Sequence, residues 1–246
     1  MSKELSIVVP AFNETERIAP SLAKILDYIR ERNIDAELIV VDDGSSDDTA
    51  DVARSVASGY GDIETNVIRN EQNRGKGHAV KTGLLAAKAE IALFSDADLS
   101  TPIEEAEKLT APIVSGEMDV TFGSRALDRS LIGTHQPWRR EQGGKVMNFV
   151  IRKMSGLDFA DTQCGFKAFN MKKFRPLLEV MTVDRFGFDV EFLFVAKYHG
   201  LRLAEIPVRW NDVEGSKVSV LRDTRRMFSE LALVRRNAKN GLYDLK

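Results

Sequence analysis

Two carboxylates stand one residue apart, Asp96 and Asp98 in "FSDADLSTP", and the apolar run "IALF" at 91–94 leads into them. In an extended or turning backbone, residues i and i+2 project to the same side, so both carboxylates can face one point. Like charges held this close repel each other unless a cation lies between them, and ligands that are all oxygen suit a hard divalent ion such as Mg²⁺ or Mn²⁺. The pair therefore indicates a metal site.

The same stretch also fits the start of a helix. In "DLSTPIEEAEKL", Ser100 or Thr101 could cap a helix whose first turn holds Pro102 and acidic residues. From these residues alone, a metal site and a helix cap both remain open.

Short strand patterns and longer amphipathic helix patterns alternate along the first half of the chain. The predicted strands are 5–12, 36–43, 63–70 and 91–98, and the predicted helices between them are 15–31, 47–57 and 76–90. This alternation is typical of an α/β fold with a mostly parallel sheet and helices on both faces. In such sheets, ligands bind beyond the carboxyl ends of the strands.

The four predicted strands end in polar or glycine-bearing segments, namely "PAFNE", "DDGSSDDT", "RNEQNRGKG" and "SDAD". Gly, Asn and Asp are also ordinary turn residues. Turn formation does not explain why acids at the ends of separate strands should converge on one edge, where their repulsion must be offset. A cation, a ribose whose hydroxyls donate to carboxylates, or both would offset it.

The second half of the chain is less regular. It predicts a strand at 119–125 that ends in Arg125, a basic helix at 138–155, a turn and strand at 161–170, a buried helix at 186–200 and a strand at 201–210. The last strand should lie at a sheet edge, because Pro207 cannot donate to a ladder. A basic amphipathic helix closes the chain, with Met227, Leu231 and Val234 on one face.

The length and composition of the chain indicate a globular protein with a full hydrophobic core. A chain of 246 residues with 43% hydrophobic content can bury a full core, and its apolar runs are shorter than the roughly 20 residues of a membrane-spanning helix. No signal peptide is visible, because residues 2–4 lead directly into the first strand pattern.

The chain has a single cysteine, Cys164, which excludes an internal disulfide and fits a reducing compartment. Cys164 is expected to be a buried packing thiol. Since no repeat or linker interrupts the pattern, 1–246 is expected to be one domain.

Two segments carry an excess of basic residues. Residues 138–153 hold five basic residues and one acidic residue, and 222–239 hold six and two, so each has a net charge of +4. Such segments are usually solvated helix faces. Both also contain interspersed apolar residues, which leaves a role at a membrane surface open.

Several motifs resemble, in this order and spacing, the family 2 glycosyltransferases with the GT-A fold. They are "IVVPAFNE", "VVDDGSSDDT", "NRGKGHAVKTG", "DADLSTP" and "GSRA". "DTQCGFKAF" and "VEGSK" look most similar to the dolichyl-phosphate β-glucosyltransferases, with the mannosyltransferases as close relatives. The resemblance runs from about 5 to about 220. It implies a Rossmann-like sheet, with 1–124 as the nucleotide-sugar half, 125–220 as the acceptor half and 221–246 as a basic C-terminal helix.

The resemblance also implies roles on the donor side. The residues expected to hold the base and ribose of the nucleotide sugar are Pro10, Phe12, Glu14, Asp42 and Asp43. Asp96, Ala97 and Asp98 match the Asp-x-Asp motif, whose carboxylates hold the metal, Mg²⁺ or Mn²⁺, at the diphosphate. Lys76 and Lys217 are expected to bind the diphosphate, although lysines beside glycines are otherwise often solvated turn residues.

On the acceptor side, the resemblance implies a polyprenyl or dolichyl phosphate. Arg125, Arg139 and Arg140 are expected to bind its phosphate, because guanidinium binds phosphate oxygens bidentately. A solvated basic face remains the alternative for Arg139 and Arg140. Residues expected to contact the sugar or shape the acceptor site are Asp161, Gln163 and Glu191, and those expected to be catalytic are Asp98, Arg125 and Asp189.

The expected reaction is the inverting transfer of a hexose, glucose from UDP-glucose, to that phosphate. The second pKa of a phosphate lies near 6, so it is a nucleophile at neutral pH without a strong base. The alternatives are transfer of mannose from GDP-mannose and a nucleotide-sugar-binding protein without turnover. We expect a cytoplasmic protein attached peripherally to the cytoplasmic face of a membrane, and no nucleic-acid partner.

Overall fold

A computed structural model describes residues 3–134, 138–213 and 220–245, without the side chains of 138–141, 145, 146 and 220–225. The strands are β1 (Leu5–Ala11), β2 (Ala36–Asp42), β3 (Glu64–Arg69), β4 (Ile91–Ser95), β5 (Val120–Ser124), β6 (Phe166–Asn170) and β7 (Leu203–Pro207). The helices are α1 (Thr15–Glu31), α2 (Thr49–Ser58), α3 (Lys76–Ala86), α4 (Ala106–Val114), α5 (Trp138–Ser155), α6 (Met171–Leu178), α7 (Phe188–Tyr198) and α8 (Val220–Lys239). Short 3₁₀ turns lie at Ile103–Glu105 and Arg129–Leu131.

The strands form one sheet in the order β3-β2-β1-β4-β6-β5-β7. The pairs among β1 to β4 are parallel, as is β5 with β7, whereas β6 runs antiparallel to both β4 and β5. The predicted mostly parallel sheet is therefore confirmed, and β7 lies at the predicted edge. The parallel half brings the carboxyl ends of β1, β2 and β4 to one edge.

Apolar side chains alternate between the two faces of the sheet, as the period of a strand requires. Val8, Ile39 and Phe94 pack in the core that also contains the buried residues of α3, α6, α7 and α8. Ile7, Leu38 and Leu93 pack in the core with α1 and α4. Helices on both faces thus hold the sheet rigid below its polar edge.

The structure corrects the extent of several predicted elements. Helix α3 ends at Ala86 rather than at 90, because the backbone amides of Lys88 and Ala89 donate to side chains of the sheet, Glu37 Oε1 at 2.6 Å and Ser6 Oγ at 3.0 Å. Strand β4 ends at Ser95. Helix α6 was not predicted, and it begins directly after β6 where the Asn170 side chain accepts from the amide of Lys172.

The closing helix has the predicted apolar face. Met227, Leu231 and Val234 are buried, whereas Arg235 and Arg236 are exposed. Within the described residues, the helices are too short or too polar to cross a lipid bilayer.

Candidate functional site

A cavity of about 370 Å³ opens at the carboxyl ends of β1 and β4. It is bounded by those strand ends, by the loop before α3 and by the segment before α7, whose residues at the cavity are Arg185 and Phe186. The predicted site residues that line it are Pro10, Phe12, Glu14, Asp43, Lys76, Asp96, Ala97 and Asp98. The ends of separate strands therefore do converge on one space.

The first wall of the cavity follows β1. The Phe12 side chain is partly exposed, and an aromatic ring suits contact with a planar ligand. The Glu14 carboxylate accepts two hydrogen bonds from the Arg17 guanidinium, at 2.8 Å from Nε and 2.9 Å from Nη2. This pairing fixes both side chains at the cavity wall, and Arg17 is a lining residue that the sequence reasoning missed.

Asp43 organises the loop that leads into α3. Its buried carboxylate accepts from the backbone amides of Arg74 and Gly75, the latter at 2.7 Å, and from the side-chain amide of Asn70 at 2.9 Å. Gly75 has φ of +121°, and a Cβ there would lie 2.5 Å from the carbonyl oxygen of Asp184. The loop can therefore pack closely beneath the segment that carries Arg185.

The role expected of Asp42 at the ribose stays a prediction. Asp42 has no exposed surface, and it does not line the cavity. One carboxylate oxygen accepts from the amide of Ser45 at 2.9 Å, and the other lies 3.3 Å from Arg69 Nε. Asp42 shapes the turn after β2.

Asp96 and Asp98 stand at the floor of the cavity. Lys76 Nζ lies 2.6 Å from Asp96 Oδ1. Burial raises the pKa of the Asp96 carboxyl, the Lys76 ammonium lowers it, and the like charge of Asp98 raises it again, so that it lies above its usual value. Burial would lower the pKa of Lys76, but Asp96 and its acidic neighbours raise it, so the ammonium stays charged.

In the structure, neither Ser100 nor Thr101 caps a helix. The 3₁₀ turn at Ile103–Glu105 follows Pro102 and has no side-chain cap. Instead, Asp98 Oδ1 accepts from the amide of Ser100 at 3.0 Å, while Thr101 lies against Cys164. Asp98 also lines the cavity.

The arrangement of the two acids depends on Gly165, which precedes β6. The amide of Asp96 donates to the carbonyl of Gly165 at 3.0 Å. A Cβ on Gly165 would lie 2.0 Å from Asp96 Oδ2, closer than any real contact. The absence of a side chain at Gly165 therefore sets where the Asp96 carboxylate can lie.

The donor set fits a hard divalent ion. In the part of the chain that the structure describes, no third Asp, Glu, His or Cys joins the pair to complete a protein-only cluster. Mg²⁺ is usually held by one or two carboxylates while substrate phosphates and water supply its other ligands. Asp96 and Asp98 suit that arrangement, with the ion shared between protein and diphosphate.

Arg125 and Asp161, predicted separately, are partners. The guanidinium donates to both carboxylate oxygens, from Nε at 2.6 Å and from Nη2 at 2.9 Å, and it lies over the ring of Trp210. Burial alone would lower the pKa of Arg125, but Asp161, and more weakly Asp96, raise it. Arg125 does not line the donor cavity, and the backbone amide of Gln163 also donates to Asp161.

Two acids on α7 do not line the cavity. Asp189 is buried and pairs with Lys167 Nζ at 2.5 Å. Glu191 has no exposed surface, and its carboxylate accepts from the amides of Thr182 and Val183 and from the Tyr243 hydroxyl. Both acids bind partners within the protein, and the roles expected of Glu191 at the acceptor site and of Asp189 in catalysis stay predictions.

The remaining predicted residues divide into two groups. Lys217 and the side chains of Arg139 and Arg140 lie outside the described residues. Cys164 is the expected buried thiol, and burial raises its pKa to about 11. Besides Arg17, the polar and aromatic lining residues that sequence reasoning missed are Asn73, Arg185 and Phe186. Asn73 lay within a quoted motif, "NRGKG", and Phe186 began the predicted helix at 186–200, whereas Arg185 carried no signal.

Comparison with known proteins identifies the family to which this chain belongs. Residues 6–178 match the family described as glycosyl transferase family 2. The human dolichyl-phosphate beta-glucosyltransferase is 33% identical over all of this chain and 79% of its own length. The proteins of the same name from Drosophila melanogaster and Saccharomyces cerevisiae are 33% and 30% identical, over 95% and 97% of this chain and 74% and 76% of their own.

Solved structures resemble the fold. Glucosyl-3-phosphoglycerate synthase from Mycobacterium tuberculosis, in complex with phosphoglyceric acid, matches with a TM-score of 0.70 and 20% identity over 94% of this chain and 80% of that one. The same synthase in complex with Mn²⁺ and UDP-glucose matches with a TM-score of 0.69 and 20% identity over 95% and 79%. At this identity, the likeness concerns the fold.

Proposed function

Because the chain belongs to glycosyl transferase family 2, we propose that it transfers glucose from UDP-glucose to a polyprenyl phosphate, such as dolichyl phosphate. It is a glycosyltransferase, and its mostly parallel sheet has the predicted GT-A fold. The observation that carries the proposal is the juxtaposition of Asp96, Asp98 and Lys76 at the floor of a cavity at the strand ends.

On the donor side, the nucleoside binds along the wall made by Phe12, Glu14 and Asp43. The aromatic ring suits a planar base, and carboxylates accept from ribose hydroxyls. The diphosphate then lies over Lys76, whose ammonium attracts it. When bound by Asp96 and Asp98, a divalent ion offsets the charge that grows on the departing nucleoside diphosphate.

On the acceptor side, the lipid phosphate binds near Arg125. Asp161 holds the guanidinium in one orientation through two hydrogen bonds, so little side-chain entropy remains to be lost on binding. A phosphate is ionised at neutral pH, so positioning suffices and no side chain has to remove a proton. In-line attack on the anomeric carbon inverts it, and an α-linked donor yields a β-linked lipid phosphate sugar.

The acceptor lipid places the enzyme at a membrane surface. Arg235 and Arg236 are exposed on α8, and Phe149 on α5 is exposed as well. Basic and aromatic side chains on amphipathic helices suit the headgroup layer. We place the attachment in 138–153 and 225–238, on the cytoplasmic face of the membrane.

The test is a turnover assay with Mg²⁺ or Mn²⁺, a polyprenyl phosphate and separate UDP-glucose and GDP-mannose donors. We expect lipid-linked glucose from UDP-glucose, and a loss of about 100-fold or more in Asp98→Ala. Glu104→Ala removes an exposed acid six residues away and is the matched control. Product from GDP-mannose alone would assign the chain to mannosyl transfer, and tight nucleotide binding without any lipid product would exclude this acceptor.

A further inference from the structure

A fully buried lysine lies beneath the donor cavity. Lys167 on β6 has no exposed surface, and its Nζ donates to Asp189 Oδ1 at 2.5 Å and to the carbonyl of Cys164 at 2.6 Å. Lysine is almost never fully buried unless it is paired, and a buried ion pair often stabilises a fold no more than apolar residues of similar size would. Stability alone is therefore a weak reason for Lys167.

The neighbours of Lys167 belong to the donor site. The ammonium groups of Lys167 and Lys76 lie 5.8 Å and 5.5 Å from the centroid of the Phe94 ring. Lys76 pairs with Asp96 at 2.6 Å, and Lys167 pairs with Asp189 at 2.5 Å. The cations of these two ion pairs therefore lie against the same aromatic ring.

Lys167 also joins the elements that hold the two halves of the site. The Lys167 ammonium donates to the Cys164 carbonyl, which holds the turn at 161–165 in place. The same ammonium donates to Asp189 and so connects that turn to α7. At the start of the turn, Asp161 binds the Arg125 guanidinium. At its end, Gly165 limits where the Asp96 carboxylate can lie. A shift of this turn would move the donor and acceptor groups relative to each other.

We propose that Lys167 is a positioning residue of the donor site: together with Asp189 it fixes the turn at 161–165 and so places Asp96 and Lys76 to bind a nucleoside diphosphate with its divalent ion. The inference rests on the proposed function and adds a residue that does not touch the substrate.

The test compares the full chain with Lys167→Met and with Lys167→Met/Asp189→Leu. The single variant leaves a buried carboxylate unpaired, whereas the double variant removes both charges and is expected to fold. Mn²⁺ binding is measured by the electron paramagnetic resonance signal of the free ion, and UDP binding by calorimetry with and without Mn²⁺. We expect the double variant to bind UDP alone as the wild type does, and to lose about 10-fold or more in Mn²⁺ affinity in the presence of UDP.

Phe174→Leu is the control for a general loss of stability. Phe174 is fully buried against Phe169 on the α6 side of the sheet, away from the cavity. This variant should unfold at a lower temperature and still bind Mn²⁺ and UDP as the wild type does. A folded double variant with wild-type Mn²⁺ affinity would overturn the inference, because the ion pair would then serve the fold alone.

The same measurements separate this inference from the proposed function. A wild-type chain that transfers no glucose but binds Mn²⁺ with UDP, and loses that ion in the double variant, would support the inference while the proposed reaction fails. A wild-type chain that binds no Mn²⁺ with UDP would overturn both.

Discussion

The position of Asp96 depends on close packing as well as on bonding. Its carboxylate lies between the Lys76 ammonium and the Cα of Gly165, and its amide is fixed to the Gly165 carbonyl. These neighbours limit the positions that the carboxylate can take in the free protein.

This confinement predicts a strong effect of one methyl group. Gly165→Ala places a Cβ within 2.0 Å of Asp96 Oδ2, so the carboxylate must move. We expect a loss of about 100-fold in turnover, since a displacement of about 1 Å at a site can cost that much. The measurement is kcat/KM with UDP-glucose alongside circular dichroism.

Gly61→Ala is the matched control, because a Cβ at Gly61, between α2 and β3, meets nothing within 4 Å. It should retain wild-type turnover. Wild-type turnover in Gly165→Ala itself would show that the Asp96 position tolerates movement, which contradicts the argument from packing.

Much of this site follows from the sequence, residue by residue. Asp96, Asp98 and Phe12 could be placed in advance, because each follows a strand whose end was clear from its apolar run. The partners of Asp42 and Glu191, the amide of Ser45 and the segment at 182–183, could not be predicted, because they are fixed only by tertiary packing. A carboxylate in a sequence motif can accept hydrogen bonds either from a ligand or from backbone amides of the protein, and the sequence does not distinguish the two.

At the scale of elements, Asp119 connects three parts of the second half. Its buried carboxylate, just before β5, accepts from the guanidinium and amide of Arg202, just before β7, and from Lys173 on α6. Arg202 lowers the pKa of Asp119, burial raises it, and Lys173 lowers it, with the result far below its usual value. Asp119 thus stabilises the packing of β5, β7 and α6 in its ionised form.

The pH dependence of stability follows from that direction. Because the folded pKa is depressed, the contribution of Asp119 is fully present above its unfolded pKa of about 3.9 and is lost as the pH falls toward the folded value. We expect Asp119→Asn to lower the free energy of unfolding at pH 7 by about 2 kcal/mol. The difference from the wild type should shrink below about pH 4, as measured by urea titration.

Asp51→Asn, which removes an exposed partner of Arg54, is the control and should change the free energy of unfolding by less than about 0.5 kcal/mol. A difference between Asp119→Asn and the wild type that stays constant from pH 7 to pH 3 would contradict the role of ionised Asp119.

The elements themselves were predictable where local patterns decide them. Helix α1 has the predicted bounds, and the strands of the parallel half differ by a few residues at most. The end of α3 and the existence of α6 were not predictable, because the first depends on Glu37 and Ser6 in the sheet and the second is a short helix containing Pro176. The assignment of one domain to 1–246 stays a prediction.

At the scale of the whole molecule, basic side chains are expected to hold the enzyme to a membrane. Reversal of charge at Arg139, Arg140, Arg235 and Arg236 should lower partitioning onto anionic vesicles by 10-fold or more, since each basic residue near such a surface contributes about 1 kcal/mol. Vesicle co-sedimentation at low and high salt measures the effect.

The control carries the same change in net charge elsewhere. It reverses exposed residues on or beside α1, α2 and α6, namely Lys24, Arg32, Arg54 and Lys172. Equal partitioning of the two variants would mean that total charge, and not the two basic segments, governs attachment.

The reversed strand β6 has a consequence for synthesis of the chain. Strand β6 lies between β4 and β5 in the sheet, although it is made after both. During translation, β4 therefore keeps an open edge, and β5 has no neighbour, until residue 170 has left the ribosome. At about 5–20 residues per second this interval lasts several seconds, and an open edge is a template for association with another chain. The nascent polypeptide is consequently most vulnerable to aggregation between the fourth strand and the sixth, and a chaperone that covers this edge would act in that interval.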